Sequence, residues 1–143
     1  METLNDLSGQ PERKRMENAA PAKDIAREAI FAAFGKKATD VVVMDIREVS
    51  GIADYFVVCT GDSPRQIKAI ADGIREEVRE VLNEKPWRSE GYKQQEWILL
   101  DYVDVVVHVF NEEKRAYFGL ERLWGDAPKE EVQDGTKHIA LLS

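Results

Sequence analysis

One cysteine, two histidines, five prolines and no long apolar run are what this chain of 143 residues is short of. A single cysteine excludes an intramolecular disulfide, and Cys59, inside YFVVCT, suits a small buried hydrophobe better than an exposed nucleophile. His108 lies in an apolar segment and His138 far away near the end, a pair that offers neither metal-ligand spacing nor triad spacing. No metal and no cofactor are expected. No apolar stretch approaches the roughly 20 residues that a membrane-spanning helix requires, so no membrane partner is expected. Charges and a proline fill residues 1–16, where a signal peptide would need an apolar core, and the protein is expected to be cytoplasmic.

Positive charge is also in deficit. Twenty Lys and Arg against 27 Asp and Glu leave a formal charge of −7. Proteins that cover nucleic acid present a dense basic face that displaces counterions, so little direct nucleic-acid contact is expected. The same charge favours encounter with a basic protein, an attraction that salt weakens, although acidity also serves solubility alone.

What is present organises into one domain with short appendages. Residues 1–21 are polar, hold Pro11 and Pro21, and lack an apolar period, which predicts a flexible arm. From Asp24, the residues Ile25, Ala26, Ala29, Ile30, Ala33 and Phe34 share one helical face, with Gly35 as the expected left-handed cap. VVVMDI at 41–46 and the segment 55–60 read as strands. Gly61, Asp62, Ser63 and Pro64 then start a long helix, for Ser63 or Asp62 can accept from free amides and Pro64 loses no donor at the first position. Ile67, Ile70, Ala71, Ile74, Val78, Val81 and Leu82 give that helix an apolar face.

A short edge strand is expected within 86–91, and WILLDY at 97–102 and VVVHVF at 105–110 read as an antiparallel hairpin around Val103 and Asp104. Tyr117, Leu120 and Trp124 then share the face of a third helix, and a tail follows Gly125 from residue 126 to 143. The order helix, strand, strand, helix, three strands, helix implies an α/β fold with a mixed sheet of about five strands flanked by helices.

Several constellations have residue types that could carry chemistry. GDSPR follows a strand and opens a helix, which places Gly61, Ser63 and Arg65 where a phosphate could bind. Nucleotidyl transfer also needs paired carboxylates for two metal ions, and no such pair sits on the following strand. A capped helix start accounts for these residues without a ligand. Asp45, Asp54, Asp101 and Asp104 fit turn and strand-end roles as well as a cation site. Alternation puts Trp97, Leu99 and Asp101 on one face of the hairpin and Ile98, Leu100 and Tyr102 on the other. Two arrangements fit: a core on both faces, or an exposed apolar patch with Glu112, Glu113, Asp101 and Asp104 as an acidic rim.

DIREVSGIADYFVVCTGDSPRQIKAIADGI, then EG, EWILLDYVDVVVHVF and YFGLERLW occur in an order that resembles the ribosomal silencing factor (Iojap-type) family, from about Asp24 to Trp124. The resemblance implies a sheet flanked by helices, shaped like a nucleotidyltransferase without the catalytic carboxylates, and a domain over residues 22–125. It implies a non-enzymatic repressor of translation that binds the large ribosomal subunit through ribosomal protein L-fourteen and blocks joining of the small subunit when nutrients are scarce. It also implies a possible homodimer. Carried onto this chain, it makes Trp97 the central partner-binding anchor, with Leu99, Leu100, Asp101, Tyr102 and His108 around it. The chain departs from the pattern at Val103, where glycine is usual, and at Gly119. Val103 resists positive φ and predicts another turn type or shifted pairing, and Gly119 is expected to weaken the last helix by about 0.5–1 kcal/mol.

Overall fold

The structure is a computed structural model that describes residues 19–143. Up to residue 18, the expected arm therefore lies outside the described residues. Beyond it the elements are α1 (Ala22–Gly35), β1 (Thr39–Asp45), β2 (Tyr55–Thr60), α2 (Pro64–Leu82), β3 (Arg88–Glu90), β4 (Trp97–Asp101), β5 (Val105–Phe110), α3 (Glu112–Phe118), α4 (Leu120–Leu123), β6 (Lys129–Val132) and a final 3-10 turn (Ala140–Leu142). Among the described residues six strands, one more than expected, form a single sheet in the order β3-β4-β5-β2-β1-β6. Of their pairings, β2 with β5 is parallel and the others are antiparallel, as expected of a mixed sheet.

The two central strands are buried along their whole length, which is why YFVVCT and VVVHVF are nearly continuous apolar runs. One sheet face is covered by α1 and α2. Ile67, Ile70, Ile74 and Val78 from α2 pack with Ile25, Ala29 and Ile30 from α1 over Tyr55, Val57, Cys59, Leu100 and Val107. Each large aliphatic side chain buried there contributes about 1.5–3 kcal/mol relative to exposure. Val81, assigned by its period to the same face, is exposed, whereas Leu82 beside it is partly buried against the core. Cys59 is fully buried, and desolvation pushes its thiol up to about 12.

The start of α2 follows the sequence closely. Ser63 accepts from the amide of Gln66 and Pro64 occupies the first turn. The end of α1 does not: Gly35 stays helical, and the positive φ falls two residues later, at Lys37. Lys36, Lys37 and Ala38 close the turn by donating to the carbonyls of Ala33 and Phe34.

The stretch expected as a tail completes the sheet. β6 pairs antiparallel with β1, matching Val41 with Val132 and Met44 with Lys129. Val132, Ile139 and Leu142 join the core beside α1. Glu130 accepts from the amides of Ala140 and Leu141, and Arg27 donates to the carbonyl of Leu142. The packed domain thus runs past residue 125 to the 3-10 turn.

The last helix breaks in two. Gly119 takes φ 55°, ends α3 by donating to the Arg115 carbonyl, and begins α4. It is therefore a cap and does not weaken a helix interior. The break separates Tyr117, which faces solvent, from Leu120, which is buried.

Candidate functional site

The hairpin of β4 and β5 sets Trp97 opposite Phe110, Leu99 opposite His108, and Asp101 opposite Val106. Its three-residue connection keeps the ladder in register with Val103 at φ 75°, so the valine accepts the strained conformation that the sequence argued against. The Asp104 amide donates to the Tyr102 carbonyl, a three-residue turn, and the Val103 amide donates to Oδ1 of Asp101.

Both faces of the hairpin are core. Ile98, Leu100 and Tyr102 lie under α1 and α2, while Leu99 joins Phe56, Val58, Val106, Phe110 and Leu120 on the opposite side. Leu99, Leu100, Asp101, Tyr102 and His108 are all buried. In this conformation their side chains lie behind the hairpin's surface and not on it. Asp101 and Asp104 are likewise withdrawn from the expected acidic rim, leaving Glu112 and Glu113 exposed there. Asp101 instead binds the Val103 amide and lies 3.5 Å from Nε of Arg88 on the edge strand.

Trp97 is the half-buried member of the set. Its indole stacks on Phe110 at 4.7 Å and meets Phe118 at 4.5 Å between ring centres. Its N–H donates to Nδ1 of His108 at 3.1 Å. An acceptor at Nδ1 makes His108 a neutral imidazole with its proton on Nε2. Burial alone holds it there, lowering its pKa to about 3. Nε2 has no hydrogen-bond partner, and the ring instead meets Phe56 edge-on at 4.6 Å.

Phe118 is brought over Trp97 by α3. Asn111 caps that helix by accepting from the Lys114 amide, and Glu112 and Glu113 suit its positive end. Arg115 ties it down: its guanidinium reaches Glu121 at 2.9 and 3.1 Å, the Asp40 carbonyl at 2.6 Å and the Thr60 hydroxyl at 2.8 Å. Outward of Phe118 stand Tyr117, 75% exposed, and Leu123, 54% exposed. Trp97, Tyr117, Phe118, Leu123 and half-buried Trp124 thus give the α3–α4 side an apolar, aromatic surface. Phe118 and Leu123 were not read as site residues; the cap signals Asn111 and Gly119 around YF were the trace they left in the sequence.

The GDSPR turn is closed by its own residues. The Asp62 amide donates to Oε1 of Gln66, the Gln66 amide to Ser63, and the Ile67 amide to the Ser63 carbonyl. Nε2 of Gln66 donates to the carbonyls of Lys36 and Lys37. A Cβ at Gly61 would come within 2.9 Å of Ile67, so close packing accounts for this glycine without a phosphate. Among the described residues no three His, Cys, Asp or Glu are grouped to hold a metal ion, and no helix is long and apolar enough to cross a membrane.

Residues 19–140 match a family model described as "Ribosomal silencing factor during starvation". The chain belongs to the ribosomal silencing factor family. It is 43% identical over 111 residues to ribosomal silencing factor RsfS of Halalkalibacterium halodurans, covering 78% of this chain and 94% of that protein. With the Bacillus subtilis RsfS it shares 40% identity over 113 residues, 79% of this chain and 95% of the relative. A crystal structure of a Chromobacterium violaceum protein superposes with a TM-score of 0.72 at 31% identity, covering 87% of this chain and all of that one. The silencing-factor match takes in β6, in keeping with that strand's place in the sheet.

Proposed function

We propose that this protein silences translation by docking on the large ribosomal subunit through ribosomal protein L-fourteen, where its bulk blocks joining of the small subunit under nutrient limitation. Membership in the silencing factor family supports the ribosomal role. The observation that carries the docking surface is Trp97, half-buried at the edge of an aromatic surface with Tyr117, Phe118 and Leu123. Buried aromatic anchors dominate many protein interfaces, and this one is held rigidly before binding, which limits the entropy lost on association. Leu99, Leu100, Asp101, Tyr102 and His108 serve it from behind. A formal charge of −7 favours approach to a basic ribosomal protein. The action is steric, takes place in the cytoplasm and involves no turnover or cofactor; the self-closed GDSPR turn supports that reading over nucleotidyl transfer. A homodimer belongs to the same proposal, and sedimentation velocity of the free protein tests it.

Co-sedimentation with isolated large subunits tests the docking. Wild type is expected in the pellet and Trp97→Ala in the supernatant, with Trp97→Phe as a folded control that keeps the packing on Phe110 and Phe118. Wild type remaining in the supernatant at low salt with excess subunits overturns the proposal.

A further inference from the structure

We infer that His108 is a positioning residue for the docking surface: through the hydrogen bond from the Trp97 indole to its Nδ1, it fixes the rotamer in which Trp97 offers a partner its carbon edge and not its N–H. For the partner's identity the inference rests on the large-subunit reading above. What His108 does to Trp97 rests on geometry alone.

Trp97 opens β4, directly opposite Phe110 and diagonal to His108 across the ladder. Phe110 and Phe118 confine the ring planes at 4.7 and 4.5 Å, but stacking alone tolerates a flipped indole. The hydrogen bond does not. Indole has a single polar atom, a donor, and turning it inward away from water is favourable only where an acceptor meets it. The lone pair of Nδ1, 3.1 Å away, therefore selects one orientation. With its N–H spent inward, the exposed remainder of Trp97 is hydrocarbon. The complementary partner surface is apolar side chains or the aliphatic stems of Lys and Arg, and not a hydrogen-bond acceptor.

A second observation separates positioning from packing. His108 is fully buried, and its Nε2 has no hydrogen-bond partner. A leucine would fill the space without stranding a donor, so packing is no reason to place histidine here. Its Nδ1 acceptor is the one thing an aliphatic residue cannot supply. Burial keeps the imidazole neutral, and so keeps that acceptor available, throughout the physiological pH range.

The test combines nitrogen-15 NMR of the Trp97 indole, assigned by its loss in Trp97→Phe, with co-sedimentation on isolated large subunits. The His108→Leu variant is expected to shift the indole resonance, speed its exchange with solvent and weaken subunit binding roughly five- to tenfold, with the far-UV circular dichroism retained. His108→Asn, whose amide oxygen can accept near the place of Nδ1, is expected to restore most of the binding. On the Trp97→Phe background, which has no indole N–H, His108→Leu should change binding by less than about twofold. An equal loss on that background, or an indole resonance indifferent to His108→Leu, overturns the inference. If wild type does not sediment with the subunits, the large-subunit reading falls, and the indole resonance and exchange alone then decide the assignment of His108.

Discussion

The backbone amide of Val103 donates to Oδ1 of Asp101 at 2.8 Å, across a turn in which Val103 holds φ 75°. A β-branched residue is strained in that region, and a buried carboxylate compensates by fixing its amide. Val103→Gly is therefore expected to stabilise the fold by about 0.5–1 kcal/mol, the relief of left-handed strain less the added freedom of glycine in the unfolded chain. Urea unfolding checks it, and a lower midpoint for the glycine variant would contradict the strain.

His108 makes stability depend on pH. Its pKa is about 3 in the folded protein because of desolvation, against about 6.5 in an unfolded chain. The unfolded state binds the extra proton, so this contribution is complete above about pH 6.5 and is lost as pH falls from there toward 3. Between pH 7 and 5 wild type is expected to lose about 2 kcal/mol that His108→Leu does not lose. Parallel urea titrations of both proteins at the two pH values measure the difference, and equal losses would refute it.

Arg115 holds α3 against the sheet through charge-assisted bonds to Glu121 and further bonds to Asp40 and Thr60. Arg115→Ala is expected to cost about 1.5–3 kcal/mol, and Arg115→Lys to recover little of it because an ammonium lacks the planar fork. Since α3 carries Phe118 over Trp97, hydrogen exchange of the 112–118 amides should quicken and subunit binding should weaken with it.

At Gly119 the sequence argued that alanine would be the better residue, and the structure reverses the sign. With φ 55°, an added Cβ would meet Nη2 of Arg122 at 2.6 Å. Gly119→Ala is expected to destabilise by about 1–2 kcal/mol, chiefly through left-handed strain since the arginine end can move. Thermal unfolding decides between a lowered and a raised midpoint.

Elements announced by local chemistry were legible. Ser63 and Pro64 marked the start of α2, and the unbroken apolar runs of β2 and β5 marked strands. β6 was not, because KEEV has three charged residues in four and one side chain, Val132, in the core; its pairing comes from β1, 89 residues earlier in the register Val42 to Glu131. The second sheet face was ambiguous for a related reason. Its cover comes from Ala53, Leu120, Trp124 and Ala127, scattered through segments without a sustained period. Alternation placed Trp97 and Leu99 on the same face correctly, yet one is half-buried and the other fully buried. That difference depends on where Phe118 and Leu120 return, which strand periodicity does not encode.

The outer strands set a further property. β6 shows Lys129 and Glu131 to solvent, and β3 at the opposite margin has only three residues, Arg88, Ser89 and Glu90. Short, charged margins are poor templates for recruiting another chain's backbone, so fibrillar aggregation has little purchase here. Molecules crowded together would therefore meet through side-chain surfaces and not through the backbone of these margins.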